Sequence, residues 1–118
     1  MHIILGDDQV KQLENKYTLL QVDQIKFHAD ENAVQAYCVL ENLPVDEISK
    51  LDELTHLHNK LMENYNKRDW NFCEQALEHL NGKWGGQIDS FYAEIASRIA
   101  KYKNSDPGED WDPAIKKY

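Results

Sequence analysis

Cysteine, proline and glycine are all scarce in this chain: two, three and five among 118 residues. Cys38 and Cys73 each sit inside an apolar pattern and show no C-x-x-C spacing. That argues against a disulfide framework or a cysteine-built zinc site, and the expected state is two reduced thiols in a cytoplasmic protein. No apolar run approaches the roughly 18 residues that cross a membrane. The opening residues, MHIILGDDQV, lack the basic start and long apolar stretch of a secretory leader, so none is expected. An excess of positive charge is also missing. Lys+Arg number 13 against 21 Asp+Glu, a net charge of -8. A chain so acidic is a poor ligand for nucleic-acid phosphates, whose binding depends on basic patches, or for an anionic membrane surface. There is neither a glycine-rich phosphate loop nor a G-x-S-x-G.

What is present begins with strand periodicity. "HIIL" is a short apolar run closed by Gly6-Asp7, and "DDQVKQLENK" places Val10 and Leu13 three apart behind acids, the pattern of a short helix starting near Asp7 or Asp8. In "YTLLQVDQIKF" the alternation Leu20, Val22 changes parity to Ile25, Phe27, which predicts a bulge near Asp23-Gln24. After the polar connector "HADEN", Val34, Ala36, Cys38 and Leu40 again share one face. Two such runs joined by a short polar loop read as a β-hairpin over 17–40.

From Pro44 the period is helical. Pro44 with Asp46-Glu47 suits a helix start, and Ser49 to Asp52, an S-x-x-D match to a capping box, suggests a break before Leu51. Leu54, Leu57, Leu61 and Tyr65 form one stripe. Asp69 is placed to cap a second helix with Trp70, Cys73, Leu77 and Leu80 inward, ended by Asn81-Gly82. Gly85-Gly86 form a hinge before a third stripe of Ile88, Phe91, Tyr92, Ile95, Ile99 and Tyr102. From Asn104 the chain is acidic and aperiodic, an extended tail either pinned by Trp111 or not pinned. The expected architecture is therefore α+β: a small antiparallel βαββ unit, then about three α-helices and an extended acidic tail. A single domain covers 1–103, β-rich over 1–41 and helical over 44–103, with 104–118 as tail.

Reactive side chains have plain structural readings. Cys73 has no histidine at helical facing distance, so a small buried apolar residue is favoured over a nucleophile. His56 and His58 lie about 200° apart around a helix and cannot share a metal. Glu74 and Glu78 share a face with no third ligand in sight. "SDPGEDWD" carries four acids in eight residues but lacks the D-x-D-x-D-G spacing of a calcium loop. No catalytic residue, metal or cofactor is expected.

The hairpin residues resemble the closing hairpin of the class III adenylate/guanylate cyclase catalytic domain. Val22-Asp23 stand at that family's Leu-Asp, Ala33-Val34 at its Pro-Val and Tyr37-Cys38-Val39-Leu40 at its Tyr-Glu-Val-Leu, while His28-Ala29 replace its Lys-Gly turn. "HIILGDD" is similar to the strand and helix start before that hairpin. Bacterial members continue into a helical tail with Arg-x-Trp, a Tyr ahead of an Arg-Ile helix and a closing Asp-Trp-Asp. Arg68-Asp69-Trp70, Tyr92 with Arg98-Ile99 and Asp110-Trp111-Asp112 follow in that order. The likeness spans most of the chain. The family's two metal-binding aspartates, its base-selecting residues and its transition-state Asn and Arg belong to a part of the domain this chain does not resemble. Without such carboxylates two-metal phosphoryl chemistry has no anchor.

The resemblance thus implies a non-catalytic end of a cyclase standing alone. The expected function is a non-enzymatic protein-interaction or regulatory module, of a size that suits a phage accessory protein. The alternative is a small-ligand sensor with its pocket between hairpin and helices. Interaction candidates are the large aromatics Phe27, Tyr37, Tyr65, Trp70, Trp84 and Trp111. Trp70 is expected between the first two long helices and Trp84 over the end of the bundle. A small sheet with uncovered edges leads to a further expectation, a homodimer formed through the hairpins near Phe27 and Tyr37.

Overall fold

The computed structural model describes residues 2–117. Two compact units make up the chain, one of residues 1–42 with 112–118 and the other of residues 43–111.

The first unit is a βαββ arrangement with one addition. Strand β1 (His2–Leu5) leads into helix α1 (Asp7–Leu13), and β2 (Thr18–Lys26) pairs antiparallel with β3 (Val34–Leu40). β1 lies antiparallel on the other side of β3. The tail supplies a short fourth strand, β4 (Ile115–Lys116), parallel to β2 at Ile25 and Lys26, giving the order β1-β3-β2-β4. The sheet is thus mixed and four-stranded, where an antiparallel three-stranded sheet and an extended tail were expected. Two residues are too few to show a period, so β4 left no pattern in the sequence.

The change of parity in β2 is a bulge. Gln21 stands opposite Tyr37 and Gln24 opposite Gln35, so β2 spends one residue more than β3. The Gln35 amide nitrogen donates to the carbonyls of Val22, Asp23 and Ala36 at 3.1, 3.3 and 2.9 Å. Its side chain thereby pairs carbonyls where the ladder is disrupted. Leu20, Val22, Ala36, Cys38 and Leu40 are buried on one face, as the alternation requires. The opposite face carries Ile4, Tyr37 and Gln21 in one row, all half-buried.

The second unit is helical. A single turn, α2 (Val45–Ile48), precedes α3 (Leu51–Asn66), α4 (Trp70–Leu80) and α5 (Asp89–Asn104). The break before Leu51 is where the sequence placed it. The residue at the cap is Lys50, however, and no side chain caps α3, so Ser49 does not close a capping box. Asp69 does cap α4, its carboxylate accepting from the Phe72 N–H at 3.2 Å. The core is made of Leu61, Tyr65, Cys73, Leu80, Ile88, Ile95 and Ile99, all at most 2% exposed.

Two turns in this unit put a residue other than glycine in left-handed backbone. At the end of α3 the Asp69 N–H reaches the Asn64 carbonyl and the Arg68 N–H reaches Tyr65, the double bond that closes many helices. The residue at the left-handed position, φ 63°, is Arg68 rather than the usual glycine, at a cost of about 1 kcal/mol. The second turn runs through Trp84, Gly85 and Gly86, at φ 58°, 64° and 74°. Two glycines adopt this freely, while Trp84 does so against its own side chain.

Candidate functional site

Two features of the helical unit have the chemistry of recognition. Around them a buried polar relay fixes the frame.

The relay is centred on Tyr92. Trp84 is completely buried, and its indole N–H donates to the Tyr92 hydroxyl at 3.0 Å. The same hydroxyl lies 2.8 Å from Nδ1 of His58, the one fully buried polar side chain among the described residues. The Trp84 backbone N–H donates to the Glu47 carboxylate, which anchors α2 to the turn before α5. These contacts over-determine the Trp84 turn, as a strained backbone requires.

The first recognition feature is an aromatic corner where α3 turns into α4. Trp70 stacks on Tyr102 at 5.4 Å and 29°, and Trp111 meets Tyr65, Trp70 and Tyr102 edge-on at 5.3, 5.5 and 5.3 Å. Trp70, Tyr102 and Trp111 are each half-buried, while Tyr65 beneath them is 2% exposed. Burial pushes the Tyr65 hydroxyl up to about 12, against the opposing pull of Arg98. Beside the rings a hollow of about 360 Å³ is edged by Arg68, Asn71, Lys103 and Asp106. Arg68 reaches Asp106 at 3.6 Å and Lys103 reaches Glu74 at 2.7 Å, so its two cations are already met by carboxylates of the chain. In water such pairs add little stability.

The second feature is a groove between α4 and α5, about 440 Å³ in volume. From α4 it takes Glu74, Leu77, Glu78 and Asn81, and from α5 Tyr92, Ala93 and Ala96. Positions 74, 77, 78 and 81 repeat at 3–4 residues, one face of a helix. Tyr92 is buried, whereas Ala93 and Ala96 are exposed and Ala100 continues their line along α5. The floor is therefore apolar and shallow-sided, and the polar groups stand at its α4 rim.

The aromatic candidates from the sequence divide among these places. Tyr65, Trp70 and Trp111 are brought together in the corner. Trp84 and Tyr65 have no surface to offer a partner, being 0% and 2% exposed. Trp84 lies in the turn before α5, as expected, and is the deeper of the first two tryptophans, its indole turned inward to Tyr92. Trp70, expected between the first two long helices, is half-exposed at their corner. Phe27 opens the hairpin loop at 38% exposure and Tyr37 is half-buried on β3, both in the sheet unit. The alanine line is faint in the sequence, although Ala93, Ala96 and Ala100 recur at helical spacing beside the Phe91, Ile95, Ile99 stripe. Neither thiol is poised to react: burial pushes Cys38 up to about 11 and, with Asp69 and Glu74 nearby, Cys73 up to about 12. Among the described residues no group of three His, Cys, Asp or Glu could hold a metal ion, and no helix is long and apolar enough to cross a membrane. Comparison with protein-family models, curated proteins and solved structures gives no match.

Proposed function

We propose that this chain is a non-enzymatic protein-interaction module that docks a partner in the α4–α5 groove. The observation that carries the reading is the exposed alanine floor. Side chains no longer than a methyl line two turns of α5, beside Leu77 and Tyr92. Alanine favours a helix even where it faces only solvent; what this line adds is the floor of a groove, where another element can approach closely. A small-ligand site would instead gather polar groups inside an enclosed cavity. Here the polar groups stand on the rim. The reading agrees with the cyclase resemblance, in which the acids needed for nucleotide chemistry have no counterpart in this chain. The test uses the intact chain as bait in an extract of its source cell, beside Ala96→Glu. That change is at an exposed helical position and should leave the melting temperature unchanged. Proteins held by the wild type and lost by the variant are the expected outcome. Identical sets, or no retained protein, would refute the groove.

A homodimer through the sheet is a second reading, favoured by the outer edge of β1. There the Leu5 N–H is met by the Gln9 side chain at 3.2 Å, and by alternation the Ile3 N–H points the same way, away from β3. Ile3 and Leu5 are 43% and 39% exposed. β4 pairs with only two residues of β2, so the other edge is covered in part. Four residues of edge bury far less than the roughly 1,200 Å² of a standard interface. The face carrying Ile4 and Tyr37 must therefore contribute. Light scattering on the eluting peak should give twice 13.8 kDa. A mass near 13.8 kDa that does not rise with concentration would rule the dimer out.

A further inference from the structure

We infer that the occupant of the α4–α5 groove is an amphipathic α-helix with lysine or arginine along one border, an inference that rests on the groove reading above. Shape comes first. Ala93, Ala96 and Ala100 run along roughly 10 Å of α5, the length of two helical turns. Without longer side chains in between, a helix axis can settle at the short end of the usual separation of about 8–10 Å. An extended strand would need a row of open backbone donors and acceptors, and the groove is walled by two helices whose backbone groups are already bonded internally. A helix brings its own satisfied backbone and asks only for an apolar seam.

Charge then selects the kind of helix. The charged residues that line the groove are both carboxylates, Glu74 and Glu78. Glu74 is met by Lys103 at 2.7 Å, while the Glu78 side chain has no ion pair or hydrogen bond among the described residues. The exposed polar side of the groove is therefore negative at Glu78, within a chain of net charge -8. A second copy of this chain would bring Glu74 and Glu78 against their own equivalents. Lys103 offsets Glu74 within each copy, but the Glu78 carboxylates would meet no cation among the other copy's lining residues, and like charges repel. A partner helix with an apolar seam toward Ala93, Ala96 and Leu77 and a cationic border toward Glu78 meets both surfaces. Because the Glu78 contact lies at the rim, it should act on encounter rate and salt sensitivity more than on the buried seam.

The test displays a library of helices about 20 residues long with a fixed leucine seam and border positions randomised among Glu, Gln, Lys and Arg. Selection is on the full chain, with Ala96→Glu for counter-selection. The expected winners carry Lys or Arg on one border, and raising salt from about 50 to about 500 mM should weaken them roughly tenfold or more. Glu78→Lys should weaken the same winners about tenfold while melting like the wild type. Winners that are neutral or acidic, or indifferent to Glu78→Lys, would overturn the basic helix and leave the groove standing. If no member separates the wild type from Ala96→Glu, the groove itself falls and this inference with it.

Discussion

Trp84→Ala is expected to destabilise the protein by about 3–5 kcal/mol, the range for removing a large aromatic from a core. The indole is 0% exposed, so the full side-chain volume becomes a cavity. The loss also removes the indole N–H that donates to the Tyr92 hydroxyl. Urea denaturation followed by circular dichroism measures the effect, and a change below about 1 kcal/mol would mean the bundle closes without its anchor. The backbone adds a second, sharper expectation. Ala keeps the strain of φ 58°, whereas Gly adopts that angle freely. Trp84→Gly should therefore be no less stable than Trp84→Ala, and about 1 kcal/mol more stable if the strain is fully relieved. At an ordinary helical position Gly is worse than Ala by a similar amount, so the order of the two variants reports the turn and not only the cavity. The same truncation at Trp70 should cost less, since that ring is half-exposed and loses only part of its burial.

How much of this was legible from residues alone depends on how local the cause is. The β2 bulge was readable because one extra residue moves every later side chain to the other face, and Ile25 and Phe27 carry that shift openly. Asp69 was readable as a cap because its carboxylate sits three residues before the N–H it accepts. The S-x-x-D at Ser49 met the same rule and failed, since Lys50, not Ser49, occupies the cap position. Arg68 hid the end of α3: the left-handed position closing a helix is usually glycine, and arginine there gives no signal. The full burial of Trp84 left no signal for a related reason. Its indole direction follows from a backbone angle that tryptophan rarely takes, and from Tyr92, whose hydroxyl also meets His58 from far along the chain. β4 depends entirely on pairing with Ile25 and Lys26, which lie near the other end of the sequence. The groove was half legible. Glu74 and Glu78 share a face by their spacing alone, but the alanines opposite them give no signal, because small residues add nothing to an apolar stripe.

Tyr92→Phe removes one oxygen and almost no volume, yet it should cost about 2–4 kcal/mol. The ring stays, so packing against Phe91 and the groove wall is retained and no sizeable cavity opens. What changes is pairing. The Trp84 N–H, 3.0 Å away, loses its acceptor, and His58 Nδ1, 2.8 Å away, loses its partner. Both side chains are completely buried, so the Trp84 N–H carries the desolvation penalty of an unpaired polar group, about 1–3 kcal/mol, and the loss of the His58 contact adds to it. An indole N–H can only donate, so the phenyl ring that replaces the phenol offers it no equivalent bond. His58→Leu should cost less in the Tyr92→Phe variant than in the wild type, because the contact between the two is already gone there. Denaturation of the two single variants and the double variant completes the cycle. A Tyr92→Phe protein within about 0.5 kcal/mol of wild type would show that water reaches the relay. Strictly additive losses in the cycle would show that His58 and Tyr92 do not act as a pair.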